Sequence, residues 1–521
     1  MLLQNYKDLE SEFLVNYWEQ GKDILGISNF GELVPEVVSL GSDYEAMLKE
    51  LIAMRIDYKL KKSRGDSAYD AHKEKMDRPM VPEGPKNGMR HKPNTISRGE
   101  MPEIKPVIST VVAAVIAAII LSAGCDKQTP RFQCSDSIGC IDVAPGEPLR
   151  IGVIQALSGK VAPLGLEQVR GIDLAIDKRQ GKILDHAIML QTENAGCTGE
   201  GGANAALKII ADPQTVAILG TTCSGEAATA SKIMSDAGLT MISGSNGSPY
   251  LTAIAGKRAP NWQPGYFRTA ANEESSGKAA AEYAFYELGV RKAATIDDGD
   301  IYTRGLTEGF GQGFKQLGGE VVLSTMIDKG DTEMQPVLTA VVNFGAQLLF
   351  FPLYQPEGNH VLLQARKTPG FEKIILMSDG ALIERSFIEA VKDEGKGLYF
   401  VAPSWPAGPD ANALAKDYEA KFNISPATNY YPSAFDAANL LMETIENIAV
   451  KEPDGSLHIG RQALRNALYA TKGYKGVNGS LNCDEFGDCA MPVFNILRLD
   501  DPAAGHTGLQ SNALFTYTYE K

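Results

Sequence analysis

Residues 148–521 predict an α/β fold of two doubly wound, Rossmann-like lobes joined by a hinge. Two observations carry that expectation. From Leu149 onward, short β-rich runs alternate with stretches of helical spacing, and the series runs twice. Such alternation implies parallel sheets with right-handed crossovers. The length of 521 residues also exceeds what one core holds, so about three units are expected.

In the first series "LRIGVIQA", "HAIMLQTE", "TVAILG" and "LTMIS" read as strands. Between them "LEQVRGIDLAIDKR", "GANAALKIIAD" and "GEAATASKIMSDAG" have helical spacing. The second series is "KAATIDD", "GEVVLSTMI", "AQLLFFPL", "EKIILMSD" and "GLYFVAP". The expected division is 148–271 plus about 404–475 for lobe one, and 272–403 plus about 476–521 for lobe two.

The preceding residues are of a different kind. Segment 1–106 is an extension, mostly helical or disordered: 43–62 has helical apolar spacing, and 63–106 is polar and Pro-containing. Val107 to Gly124 carries no charge and follows Arg90, Lys92, Arg98 and Lys105. A basic stretch, an apolar run and then small residues make a signal-peptide layout. Its end, Leu121-Ser122-Ala123-Gly124-Cys125, resembles a bacterial lipobox, which implies lipidation at Cys125 and a start at Met89 or Met101. An uncleaved signal anchor and a buried helix are the alternatives. Segment 126–147 reads as a linker.

A net charge of −14 argues against nucleic acid, which demands a basic face, and against anionic lipid. Of seven cysteines, six remain once Cys125 is set aside. Two close pairs, Cys134/Cys140 in "CSDSIGC" and Cys483/Cys489 in "CDEFGDC", read as disulfides past an export signal. Thiolate metal binding is the alternative, but no CxxC occurs and the histidines are scattered. No cofactor is expected.

In doubly wound sheets, ligands sit beyond the carboxyl ends of strands, at helix starts. The loops there hold a coherent polar set. "LGTTCSGEAA" places Cys223 and Ser224 at a helix start, where Ser224 is a candidate N-cap and free amides would receive a carboxylate. "ISGSNGSPYLT" offers Ser245, Asn246 and Ser248. Tyr302, Tyr354 and Asp379 follow strands of the second series; the tyrosines suit a cleft wall, and Asp379 suits an ammonium group or a helix cap. Trp405 is either a cleft wall or hinge packing.

Residues 149 to about 500 resemble bacterial ABC-transporter substrate-binding proteins of the leucine/isoleucine/valine and amide class. The resemblance rests on "IGVIQALSGKVAPLGLEQVRGIDLAID", "ENAGCTGEGGANAALKIIADPQTVAILGTTCSGEA" and "DDGDIYTRGLTEGF". It implies the type I periplasmic-binding-protein architecture and a Cys197–Cys223 disulfide. It also implies a carboxylate grip at Ser224 and at Ser245, Asn246 and Ser248, closure by Tyr302 and Tyr354, and an ammonium partner in Asp379. Two positions depart from the pattern. Gly247 stands where branched-chain binders carry threonine, and Leu164 where they carry an aromatic.

The function that follows is the extracytoplasmic solute-binding component of an ABC importer. It would be a monomer that takes an amino acid or amide between its lobes and meets membrane permease subunits. A membrane-anchored sensor signalling through residues 1–106 is the rival. No GxSxG, HExxH or P-loop occurs, so no enzyme is expected.

Overall fold

A computed structural model of the chain describes residues 132–519, apart from 427 and 429. The extension with its expected helix at 43–62, the apolar run and Cys125 lie outside the described residues. Among the described residues no helix is long and apolar enough to cross a membrane.

Lobe one is built on five parallel strands: β1 (Leu149–Gln155), β2 (His186–Asn194), β3 (Thr215–Gly220), β4 (Thr240–Ser243) and β5 (Tyr266–Arg268). They lie in the order β2-β1-β3-β4-β5, with Lys182–Ile183 antiparallel along β2. Every residue of β3 is buried, as expected for a central parallel strand covered on both faces. Helices α1 (Ala162–Lys178), α2 (Gly199–Ile210) and α3 (Ser224–Asp236) connect the strands, with α2 packed on α3.

Lobe two begins with α4 (Glu274–Tyr286) and carries β6 (Lys292–Asp297), α5 (Ile301–Gln316), β7 (Glu320–Met326), β8 (Leu348–Phe350), β9 (Ile375–Asp379) and β10 (Tyr399–Pro403). Its sheet runs β7-β6-β8-β9-β10 in parallel. Two antiparallel strands extend it, β11 (Val493–Arg498) and β12 (Ala513–Thr518).

Both parallel sets share one strand order, second-first-third-fourth-fifth. The order therefore reverses between β1 and β3 in lobe one, and between β6 and β8 in lobe two. At such a switch point the loops leaving the carboxyl ends diverge and open a crevice.

The chain crosses between lobes three times: from β5 into α4, from β10 back to α6 (Pro409–Phe422), and from Cys489 to β11. α6 and α7 (Tyr430–Ile448) return to lobe one, where α7 packs on α1 and supplies Phe435, Leu441 and Ile445 to the core. Two boundaries differ from the sequence analysis. Residues 476–490, expected in lobe two, sit with lobe one: Leu481, Cys483 and Cys489 belong to its core, and the Asp436 carboxylate accepts the Val477 and Asn478 amides at 2.8 Å each. The last part of the expected linker is also ordered lobe-one structure, since Cys140–Val143 pairs antiparallel with Leu457–Gly460.

All six described cysteines form disulfides, Cys134–Cys140, Cys197–Cys223 and Cys483–Cys489, which leaves none of them as a metal-binding thiolate. The Cys483–Cys489 loop clasps the first crossing. Arg268 is fully buried; its Nε lies 2.5 Å from the Asp488 carboxylate, and its remaining donors reach the Asn246 and Ser248 carbonyls and the Thr252 hydroxyl.

Candidate functional site

The two switch points face each other across the cleft. From lobe one come Leu164, Thr222 and Ser245; from lobe two come Tyr302, Tyr354 and Ala381; Tyr430 at the start of α7 closes the ring. The space they leave is about 10 Å³, close to the room of one water, so the lobes stand closed on each other here. Leu164, Cys197 and Cys223 of lobe one pack in a single apolar cluster with Tyr302 and Tyr354 of lobe two.

Contiguous with this slot through Ser245 and Tyr430 is a larger cavity of about 210 Å³. Glu273, Gly380, Trp405 and Met491 line it, and segments of all three crossings contribute to its wall. Trp405 lies on the second crossing and on the wall of this cavity.

On the lobe-one side the polar loop is heavily cross-linked. The Ser245 hydroxyl donates to the Thr222 carbonyl at 2.8 Å. Asn246 is fully buried; its amide donates to the Thr221 and Thr222 carbonyls, and its oxygen accepts from the Tyr266 hydroxyl at 3.0 Å. Ser224 accepts the Ser248 amide at 3.2 Å, and the Ser248 hydroxyl crosses the cleft to the Ile301 carbonyl at 2.7 Å.

The cap of α3 differs from the sequence expectation. Cys223, not Ser224, is the N-cap, and the Glu226 carboxylate accepts the amides of Cys197 at 2.5 Å, Cys223 at 2.9 Å and Thr222 at 3.2 Å. Of the amides expected to await an anion at this helix start, that of Cys223 is therefore occupied by the chain's own carboxylate, as is that of Thr222 just before it. The spacing from Cys223 to Glu226 is that of a capping box, hidden because cysteine holds the place usual for serine or threonine. Burial pushes the Glu226 carboxyl up to about 7; the three amides pull the other way, and Asp300 across the cleft adds to the rise.

On the lobe-two side Asp300 caps α5, accepting the Tyr302 amide at 2.9 Å, and pairs with Lys329 at 2.7 Å. That cap orients Tyr302, whose ring stacks on Tyr354 with centroids 5.3 Å apart. Tyr302 and Asp379 are hydrogen-bonded, and Asp379 also accepts the Ala381 amide at 3.1 Å. Asp379 is therefore a cap, and it reaches the slot through its bond to Tyr302. Its Oδ1 is buried and has no hydrogen-bond partner among the described residues. Glu273 reaches the same hydroxyl, with Oε2 3.2 Å from Tyr302.

Both carboxyls are held above the usual range. Burial raises Asp379 to about 6, against the pull of Tyr302 and the Ala381 amide. Burial and the nearby Asp379 raise Glu273 to about 8. Tyr302, Tyr354 and Tyr430 are held well above the ordinary phenol value by burial, with the neighbouring carboxylates adding to the rise. Sequence reasoning missed Glu273, Glu226, Asp300 and Tyr430. Among the described residues no group of three or more His, Cys, Asp or Glu is placed to hold a metal ion.

This geometry, two doubly wound lobes with facing switch points and three crossings, is that of a hinged solute trap. A family model described as periplasmic binding protein matches residues 148–497, and the chain belongs to that family. It is a solute-binding protein, not an enzyme. A Leu/Ile/Val-binding protein homolog 3 from Brucella melitensis is 25% identical over 68% of this chain and 92% of its own length. A branched-chain amino acid transporter substrate-binding protein from Streptococcus pneumoniae, solved with isoleucine, has a TM-score of 0.59 at 19% identity, covering 72% of this chain and all of its own. A solute-binding protein from Rhodopseudomonas palustris HaA2, solved with p-hydroxybenzoic acid, has a TM-score of 0.61 at 18% identity over 72% of this chain and 98% of its own.

Proposed function

We propose that the protein is the extracytoplasmic solute-binding component of an ABC importer and that its solute is an α-amino acid or a close relative. One observation carries the choice of ligand: the buried Asp379 carboxyl beside the switch point, with one oxygen unmatched by any donor among the described residues. An ammonium group supplies the missing N–H groups. The carboxylate end would face Ser245 and the α3 start, in a grip redistributed by the Glu226 cap. Tyr302 and Tyr354 would cover the solute as the lobes close. The three disulfides agree with an oxidising compartment.

In this reading the lobes hinge about the three crossings, and a buried zwitterion is held because each charge finds a partner. Permease subunits would recognise the closed form, and the N-terminal apolar run would export or tether the protein. A thermal-shift screen of L-amino acids, their amides and small aromatic carboxylates tests the ligand class, because binding raises the melting temperature by mass action. Asp379→Ala is expected to abolish the shift given by the best amino acid. A screen in which only aromatic carboxylates stabilise the protein refutes the amino-acid reading.

A further inference from the structure

Of the two departures from branched-chain binders, one is glycine at 247 in place of threonine. The structure shows what fills the room. A Cβ at Gly247 would lie 2.5 Å from Glu273 Oε1 and 2.7 Å from its Cδ, so the Glu273 carboxyl occupies the space that a side chain at 247 would take. The Glu273 amide also donates to the Gly247 carbonyl at 2.9 Å, which fixes the two against each other. In place of a hydroxyl on the polar loop, the site has a second acid.

That acid is buried and lines the larger cavity. Four groups face it: Asp379 from the end of β9, Tyr302 from α5, Tyr430 from α7 and Arg268 from β5. The Arg268 guanidinium is already engaged by Asp488, two carbonyls and Thr252. The Tyr302 hydroxyl has a single hydrogen, yet both Glu273 and Asp379 lie within bonding distance of its oxygen. The described groups thus offer the two acids fewer hydrogens than they can accept, and Asp379 Oδ1 receives none. A buried acceptor left unmatched is costly, because it has given up its water without a replacement. An ammonium group brings three donors and a positive charge. A benzoate-like ligand would instead add a further negative charge.

Building on the amino-acid reading, we infer that Glu273 is a second specificity-determining carboxyl, which with Asp379 admits a solute carrying a cationic nitrogen with several N–H groups and rejects carboxylates that lack one. A site built to bond a donor discriminates strongly against the analogue without it, because its own polar groups are then stranded.

The test compares full-length wild type with Glu273→Gln by isothermal titration. The probes are the L-amino acid that stabilises wild type most, its 2-hydroxy-acid counterpart and 4-hydroxybenzoate. The readout is the ratio of affinities for amino acid over hydroxy acid. Glu273→Gln, with its melting transition checked against wild type, is expected to lower that ratio by about tenfold or more. Glu273→Asp keeps the carboxyl but withdraws it by one methylene, and should lower the ratio less; it also serves if the glutamine variant does not fold. An unchanged ratio in a folded variant overturns the role of Glu273 while leaving the amino-acid reading intact. A wild type that takes 4-hydroxybenzoate but no amino acid overturns both.

Discussion

Gly305 gives the sharpest test of hinged closure. It lies on α5 of lobe two, and the three atoms nearest to a Cβ built there all belong to lobe one: Pro249 Cδ at 2.8 Å, Pro249 Cγ at 3.1 Å and Tyr250 Cδ2 at 3.7 Å. Carbon atoms prefer separations of about 3.5–4.0 Å. Gly305→Ala therefore overpacks the interface between lobes, at about 1–3 kcal/mol, and only while the lobes are closed. The same change favours the helix in every folded form by about 0.5–1 kcal/mol. If closure accompanies binding, the two effects separate. Amino-acid affinity measured by titration should fall between about fivefold and about 150-fold. The ligand-free melting temperature should stay level or rise by about 1–3 °C. A variant whose ligand-free melting temperature drops, with affinity unchanged, would show that the closed arrangement is the resting state and that hinge opening has no part in binding.

Three further outcomes are expected. Cys197→Ala with Cys223→Ala opens a loop of sequence separation 26 and should lower unfolding stability by about 2–4 kcal/mol in urea; an unchanged midpoint counts against that bridge as a stabilising element. Asp488→Ala strands the fully buried Arg268 and should cost about 3–5 kcal/mol, whereas pairing it with Arg268→Met should recover much of the loss. Glu226 has a folded value of about 7 against an ordinary 4.5. Between those values the native state holds more protons than the unfolded chain, so this group lowers stability as pH rises from about 4.5 to about 7. Glu226→Gln should flatten that part of the stability profile, and an unaltered slope would remove Glu226 as its source.

Most of the architecture could be read from the chain because parallel strands buried on both faces announce themselves as continuous apolar runs. β3, β9 and β10 are such runs; Asp379 ends β9, and Thr222, Ser245 and Tyr354 lie in the loops just past β3, β4 and β8. What escaped notice lacked that signature. Glu273 sits on a crossing, in "NEESSGK", which reads as an ordinary solvated helix start. Its importance comes from the absence of a side chain at Gly247, 26 positions earlier, and from Asp379 in the other lobe. Ser224 was displaced as N-cap by its neighbour because the Cys197–Cys223 bridge fixes where α3 begins. Residues 476–490 hold only the end of a small hairpin and a disulfide loop, too short for periodicity to assign them to a lobe.

The three peptide links that join the halves also wall the 210 Å³ chamber, through Ala271, Trp405 and Met491. A bulky group lodged there bears on every covalent joint at once, while a slim one lets them draw together. Under the proposed function, a solute reaching this chamber would set, by its girth, the angle at which the outer rims meet, and a permease touching those rims would sense size and occupancy in a single contact.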